Sequence, residues 1–227
     1  MNRSLLFTAL LAVAGAAFAN PEDTTRLRDI DKVNSSITAE AGQAYGDLST
    51  VNGGIRIEAK ATVQAAETVN GSIRVADDVR SGNLSTVNGS IQVGARARID
   101  GAIETVNGGV YVDRGSRVQQ GIATVNGAIG VVDTDLGGGI ETVNGDVTVG
   151  VGSHLKGSIR IEKPGKNWGI RLGKPKVPRV VIGPNAVVEG PLVFEREVIL
   201  YVHQSARIGA VSGATARRFD SPTPPKD

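Results

Sequence analysis

The chain has 227 residues and carries 25 Lys and Arg against 23 Asp and Glu, a formal net charge of +2 that gives no reason to expect nucleic acid or a charged membrane surface as partner. It contains no cysteine, which excludes disulfides, thiolate metal sites, a cysteine nucleophile and an N-terminal lipid-modified cysteine. Aromatic residues make up 4% while glycines number 30, so the expected core is a narrow stack of aliphatic side chains.

Residues 1–19 read as a signal peptide. Arg3 provides the positive start, Leu5 to Ala16 the apolar segment, and Ala17-Phe18-Ala19 a small-x-small cleavage site before Asn20. The apolar stretch is short of the ~20 residues of a bilayer span, which weighs against an uncleaved anchor. Export to the periplasm or cell surface is the expected localisation. The polar residues 20–31 are expected to cap the N-terminal end, since an uncovered sheet end offers strand edges for pairing.

Residues 32–162 hold a repeat. Thr-Val-Asn-Gly occurs six times, starting at Thr50, Thr68, Thr86, Thr105, Thr124 and Thr142, after a degenerate copy at Lys32 to Ser35. The Asn positions 34, 52, 70, 88, 107, 126 and 144 are spaced by 18 or 19 residues, the signature of a repeat array. After each Asn, apolar residues alternate with polar ones, as in Ile55/Ile57, Ile73/Val75, Ile91/Val93, Val110/Val112, Ile129/Val131 and Val147/Val149. That period of two is the pattern of a strand with one buried face. Further apolar positions (Val63, Ile99, Val118, Leu155, then Leu48, Leu84, Ile103, Ile122, Ile140) predict three short strands per repeat, with Gly supplying left-handed corners. So small a unit cannot bury its own apolar face, so successive units must stack. An all-β fold follows, a single-stranded parallel β-helix (β-solenoid) of about nine coils with 18–20 residues each, expected to be right-handed. Reading each Asn-Gly as a hairpin turn is the rival, but a meander needs such a turn about every 8–12 residues.

Within the motif, Asn52, Asn70, Asn88, Asn107, Asn126 and Asn144 fall where the chain turns and are expected to form a hydrogen-bonded structural ladder. The parity of the strand turns Val51, Val69, Val87, Val106, Val125 and Val143 outward as a stripe suited to assembly, unless the corner twists Val inward and Thr outward.

Residues 163–179 interrupt the repeat with a basic Pro/Gly-rich loop that carries Lys163, Lys166, Arg171, Lys174, Lys176 and Arg179 and the only tryptophan, Trp168. Such a loop is either a connector or a site for an anionic glycan or lipid head group. Residues 180–213 resume the solenoid, Val180 to Gly190 aligning with Leu200 to Ala210 at an offset of 20. Residues 214–227, ending in Ser221-Pro-Thr-Pro-Pro-Lys-Asp227, have the composition of a disordered tail.

Catalytic chemistry is not indicated, and no metal site, cofactor or enzyme activity is expected. His154 and His203 are several coils apart, and Asp133 and Asp135 read as solvated turn residues before Gly137-Gly138-Gly139. The Val-Asn-Gly-x-Ile-x-Val repeats over residues 33 to about 161 resemble the bacterial adhesin-type family of β-strand repeats. The stretch from Val180 to Gly213 resembles bactofilins, the polymer-forming cytoskeletal β-solenoids, in its Ile-Gly-x-x-Ala-x-Val-x-Gly frame. Bactofilins are typically cytoplasmic, so the signal peptide departs from that pattern; taken together, repeats and signal peptide lead to the expectation of a non-enzymatic exported scaffold of the bacterial cell envelope, adhesin-like or polymer-forming, whose partners are copies of itself or envelope proteins. The alternative is a binding module for anionic envelope glycan or lipid through the loop around Trp168.

Overall fold

The computed structural model describes residues 27–164 and 176–225. Among them every paired strand runs parallel to its neighbour and no helix occurs. The strands form a β-solenoid built from two sheets, one of 10 strands and one of 16. The 10-stranded sheet takes one short strand from each coil, from Ile37–Ala39 through Ile55–Ile57 and Ile91–Val93 to Ile199–His203 and Ala216–Phe219. There are thus ten coils, and at the ~4.8 Å spacing of neighbouring strands the stack is roughly 45 Å long.

The period-two pattern places the strands as expected. Ile55, Ile73, Ile91, Val110, Ile129 and Val147 stack in register and are buried, as are their partners two residues on. The residue between them is exposed at Arg56, Arg74, Gln92, Tyr111 and Thr148, whereas the corresponding Val181 and Tyr201 near the C-terminal end are buried with Phe219. The larger sheet contributes the other buried columns, Leu48, Ala66, Leu84, Ile103, Ile122, Ile140 and Ile159 along one line and Val63, Ile99, Val118, Leu136 and Leu155 along another.

One residue decides whether a coil has two strands or three. In Ala44–Asn52, Thr62–Asn70 and Arg80–Asn88 a single nine-residue strand spans both columns. From the next coil on it is broken into pairs such as Arg98–Ile99 and Ile103–Asn107, both of which pair with Arg80–Asn88. Ser81 and Leu84 are three positions apart, while their partners Ile99 and Ile103 are four apart, and the extra residue forces a corner. This is the origin of the 19-residue steps.

Two expectations need correction. The C-terminal tail begins later than residue 214, because Ala216–Phe219 pairs with Ile199–His203 as the last strand of the 10-stranded sheet. Within the segment expected to cap the N-terminal end, the described part includes the strand Arg28–Lys32, which pairs with Ala44–Asn52. The glycines of the motif are not left-handed. Positive φ occurs instead at a different corner, three residues past the last buried core position of a strand of the 10-stranded sheet, at Gly42, Lys60, Asp78, Arg96, Gly115, Gly152 and Asn185, and two past it at Asp133, with Gly213 left-handed elsewhere.

Candidate functional site

The repeated tetrapeptide is an interlock between coils. Its Thr side chains are buried, and Thr68 Oγ1 donates to the carbonyl of Gly53 in the preceding coil at 2.8 Å. Thr86 to Gly71, Thr105 to Gly89 and Thr124 to Gly108 repeat the bond at 2.8, 3.0 and 3.0 Å. The glycines bring the backbones too close for any side chain, for a Cβ on Gly71, Gly89, Gly108 or Gly127 would lie 1.9 Å from the glycine carbonyl oxygen one coil earlier. Close approach, not backbone conformation, is why glycine stands there.

The Asn side chains form a continuous amide ladder. Each Nδ2 donates to Oδ1 of the Asn one coil earlier, from Asn52 to Asn34 at 2.8 Å up to Asn144 to Asn126 at 3.0 Å. The ladder lies on an exposed corner rather than in the core, with only Asn126 and Asn144 half-buried. All amides point the same way, so the last acceptor, Oδ1 of Asn144, is left over. Arg196 Nη1 donates to it at 2.8 Å and to the Val143 carbonyl at 3.1 Å.

With Thr buried, the parity of the strand puts Val51, Val69, Val87, Val106, Val125 and Val143 on the outer surface, each half-buried between its neighbours. Val33, 62% exposed, extends the column at the N-terminal end. The inward twist of Val does not occur. Beside the Val column runs the outward line of Ser49, Glu67, Ser85, Glu104, Ala123 and Glu141.

Of the basic segment, Trp168, Lys166, Arg171 and Lys174 lie outside the described residues. The described flanks are tied down. Lys176 Nζ bonds Asp146 Oδ2 at 2.6 Å, the Arg179 backbone N–H donates to Asp146 Oδ1 at 2.9 Å, and the Arg179 guanidinium sits 4.9 Å from the Tyr201 ring centroid. Arg196 Nη2 donates to the Lys176 carbonyl at 3.2 Å, so the residue that ends the Asn ladder also holds the base of the segment. Lys163 is exposed and its N–H reaches Glu195 Oε2 at 3.4 Å. The solenoid closes across this excursion without losing register, Val147–Val149 pairing with Val180–Ile182.

The acids and histidines fall apart as chemistry. Asp133 is an exposed left-handed turn residue, while Asp135 pairs with Arg117 at 3.1 Å. His154 bonds Glu189 at 2.7 Å and His203 bonds Ser205 at 2.8 Å, in different coils. Among the described residues no group of three or more His, Cys, Asp or Glu is placed to hold a metal ion. A two-pronged ion pair, Arg96 with Asp78 through bonds of 2.8 and 2.9 Å, links consecutive corners, and the Arg96 hydrogen bonds hold the Asp78 carboxyl below its ordinary range.

A feature that sequence reading passed over lies on the outer face of the 10-stranded sheet. Arg56, Arg74, Gln92 and Tyr111 occupy the outward position of successive coils in register. Beside them, above Ala76 and Gly94, is a trough of about 430 Å³ bounded by Glu58 and Asp113. The signal was the polar x of each Ile-x-Val, which registers as a ladder only once the coils are stacked. At the C-terminal end, Arg218 stands in the core column, in register with buried Val202, and reaches the His203 carbonyl at 3.3 Å. Comparison with family models, with curated proteins and with solved structures gives no match for this chain.

Proposed function

We propose that this protein is a non-enzymatic, exported β-solenoid scaffold of the bacterial cell envelope, adhesin-like in its repeats, that associates through the Val face of the rod. The observation that carries this reading is the column of half-buried Val side chains in register over successive coils. A single exposed Val is unremarkable, but solvent gives no reason to repeat one at the same outward position coil after coil, whereas a contact surface does. The flanking Glu67 and Glu104 give the strip a polar rim. Lateral contact is favoured over the end-to-end growth of a polymer-forming protein, because Arg218 places a charge in the core column of the C-terminal end. Export rests on the features of residues 1–19.

The test is the triple substitution Val69→Lys, Val87→Lys and Val106→Lys. The lysine stems can lie along the surface with their ammonium groups in water, so the variant should keep the parent's circular dichroism and lose self-association in light scattering. A folded variant that associates as the parent does would remove the Val face as the contact surface. The second reading, an anionic glycan or lipid bound by the segment around Trp168, is left with Lys163, Lys166, Arg171 and Lys174, since Lys176 and Arg179 are engaged with Asp146 and Tyr201.

A further inference from the structure

We infer that the trough on the outer face of the 10-stranded sheet is a binding site for a linear, uncharged glycan lying along the solenoid axis. Three observations converge there.

The first is the aromatic platform. Tyr111 is 44% exposed, a high value for so large a ring, and the next coil offers Gly130 at the position directly beside it. A Cβ on Gly130 would lie 3.4 Å from Tyr111 Cδ2 and 4.0 Å from Cε2, so one edge of the ring borders this glycine, and much of the rest of the side chain is left to solvent. A flat ring with a hydroxyl at its tip suits a ligand with a C–H face and polar edges, which describes a pyranose.

The second is the set of planar polar groups in line with that ring. Arg74 and Gln92 occupy the two preceding coils, and neither side chain makes an ion pair or hydrogen bond with another described residue. The guanidinium offers only donors and the amide both donors and an acceptor, the mixture that vicinal hydroxyls require. Glu58 and Asp113 add acceptors at the two ends of the trough.

The third is the charge balance. Arg56 and Arg74 are offset by Glu58 and Asp113 around the same trough, so the site has no net charge to attract a polyanion. This separates it from the basic segment around Trp168. The repeat itself sets the ligand's shape, because outward positions recur every ~4.8 Å along the axis, filled here by Arg56, Arg74, Gln92 and Tyr111, and a chain of regularly spaced rings can meet one coil after another. The volume of about 430 Å³ lies within the ~300–1,000 Å³ of ordinary ligand sites.

The site is independent of the Val face, which lies on the other sheet, and the two readings can fail separately. The probes are the β-1,4-linked hexamers of glucose and of N-acetylglucosamine, titrated by calorimetry into the exported chain, with polygalacturonate as the anionic comparison. At least one neutral hexamer should bind saturably. Tyr111→Ala and Arg74→Ala should each weaken it tenfold or more with circular dichroism unchanged, and Gly130→Val, which keeps every polar group but crowds the edge of the ring, should weaken it as well. Saturable binding of neither hexamer overturns the inference. So does hexamer binding that survives Tyr111→Ala, or a preference for polygalacturonate that survives Arg74→Ala.

Discussion

At the scale of single residues, three of the four positions of Thr-Val-Asn-Gly are different solutions to one problem, that of holding successive coils in register. Thr satisfies a buried hydroxyl on a glycine carbonyl one coil back, Asn joins an amide ladder, Val faces outward, and Gly clears space for the backbone. Their energetic weights differ. Asn88→Ala removes two exposed ladder bonds, to Asn70 and from Asn107, each contributing about 0.5–1.5 kcal/mol net, for a loss of about 1–3 kcal/mol, nearer the lower figure because both are exposed. Gly89→Ala forces a methyl to within 1.9 Å of the Gly71 carbonyl oxygen, and the obstacle is backbone on both sides, so separation of the coils should cost at least about 3 kcal/mol. Chemical denaturation of the two variants should therefore rank glycine above asparagine in cost. The reverse order would mean that the coils can part easily and that the ladder holds them.

At the scale of elements, the strands were readable because their signal is local. A polar residue between two buried aliphatics, repeated at 18 or 19 residues, left little freedom, and the buried positions Ile91 and Val93 with outward Gln92 follow directly from it. What was not readable is what depends on register between coils. The outward line of Arg74, Gln92 and Tyr111 and the ladder's end at Arg196 join residues far apart in the chain, and no local pattern marks them. The final strand Ala216–Phe219 was hidden because its core position is filled by Arg218 rather than an aliphatic residue.

The coils near residue 162 carry a second consequence of stacking. Partial burial, then the charges of Glu141 and Glu195, holds the Glu162 carboxyl above its ordinary range, with Arg160 acting in the opposite direction. A carboxyl whose pKa is higher folded than unfolded favours folding fully only below its unfolded value, and that contribution is lost as pH rises through the folded value. At neutral pH the charged form opposes folding, so Glu162→Gln should melt above the parent. The gap should close as the pH falls through the folded value and vanish below the ordinary glutamate range. A gap of the same size at acid and neutral pH would show that the substitution acts through packing rather than charge.

For the whole molecule, the ends of the rod matter as much as its faces. A parallel solenoid exposes at each end a layer of unpaired backbone groups and the last row of its core, so two rods could in principle join as one coil joins the next. The C-terminal end resists this in two ways. Ile208, Val211 and Ala216 pack against the core while Arg218 occupies the column continued from Val149, Ile182 and Val202, and Arg207, Arg217 and Arg218 make the end basic. A second rod docking there would bury Arg218 without a carboxylate, which costs several kcal/mol. Arg218→Leu removes that penalty and completes the aliphatic column. Being exposed in the parent, the position should tolerate the change with thermal stability altered by less than about 0.5 kcal/mol. Sedimentation velocity should then show the variant forming larger, concentration-dependent species that lengthen along the rod axis in negative-stain images, while the parent does not elongate. Should Arg218→Leu sediment as the parent at every concentration, the charge is not what limits growth, and the unpaired edge is protected by residues beyond Phe219.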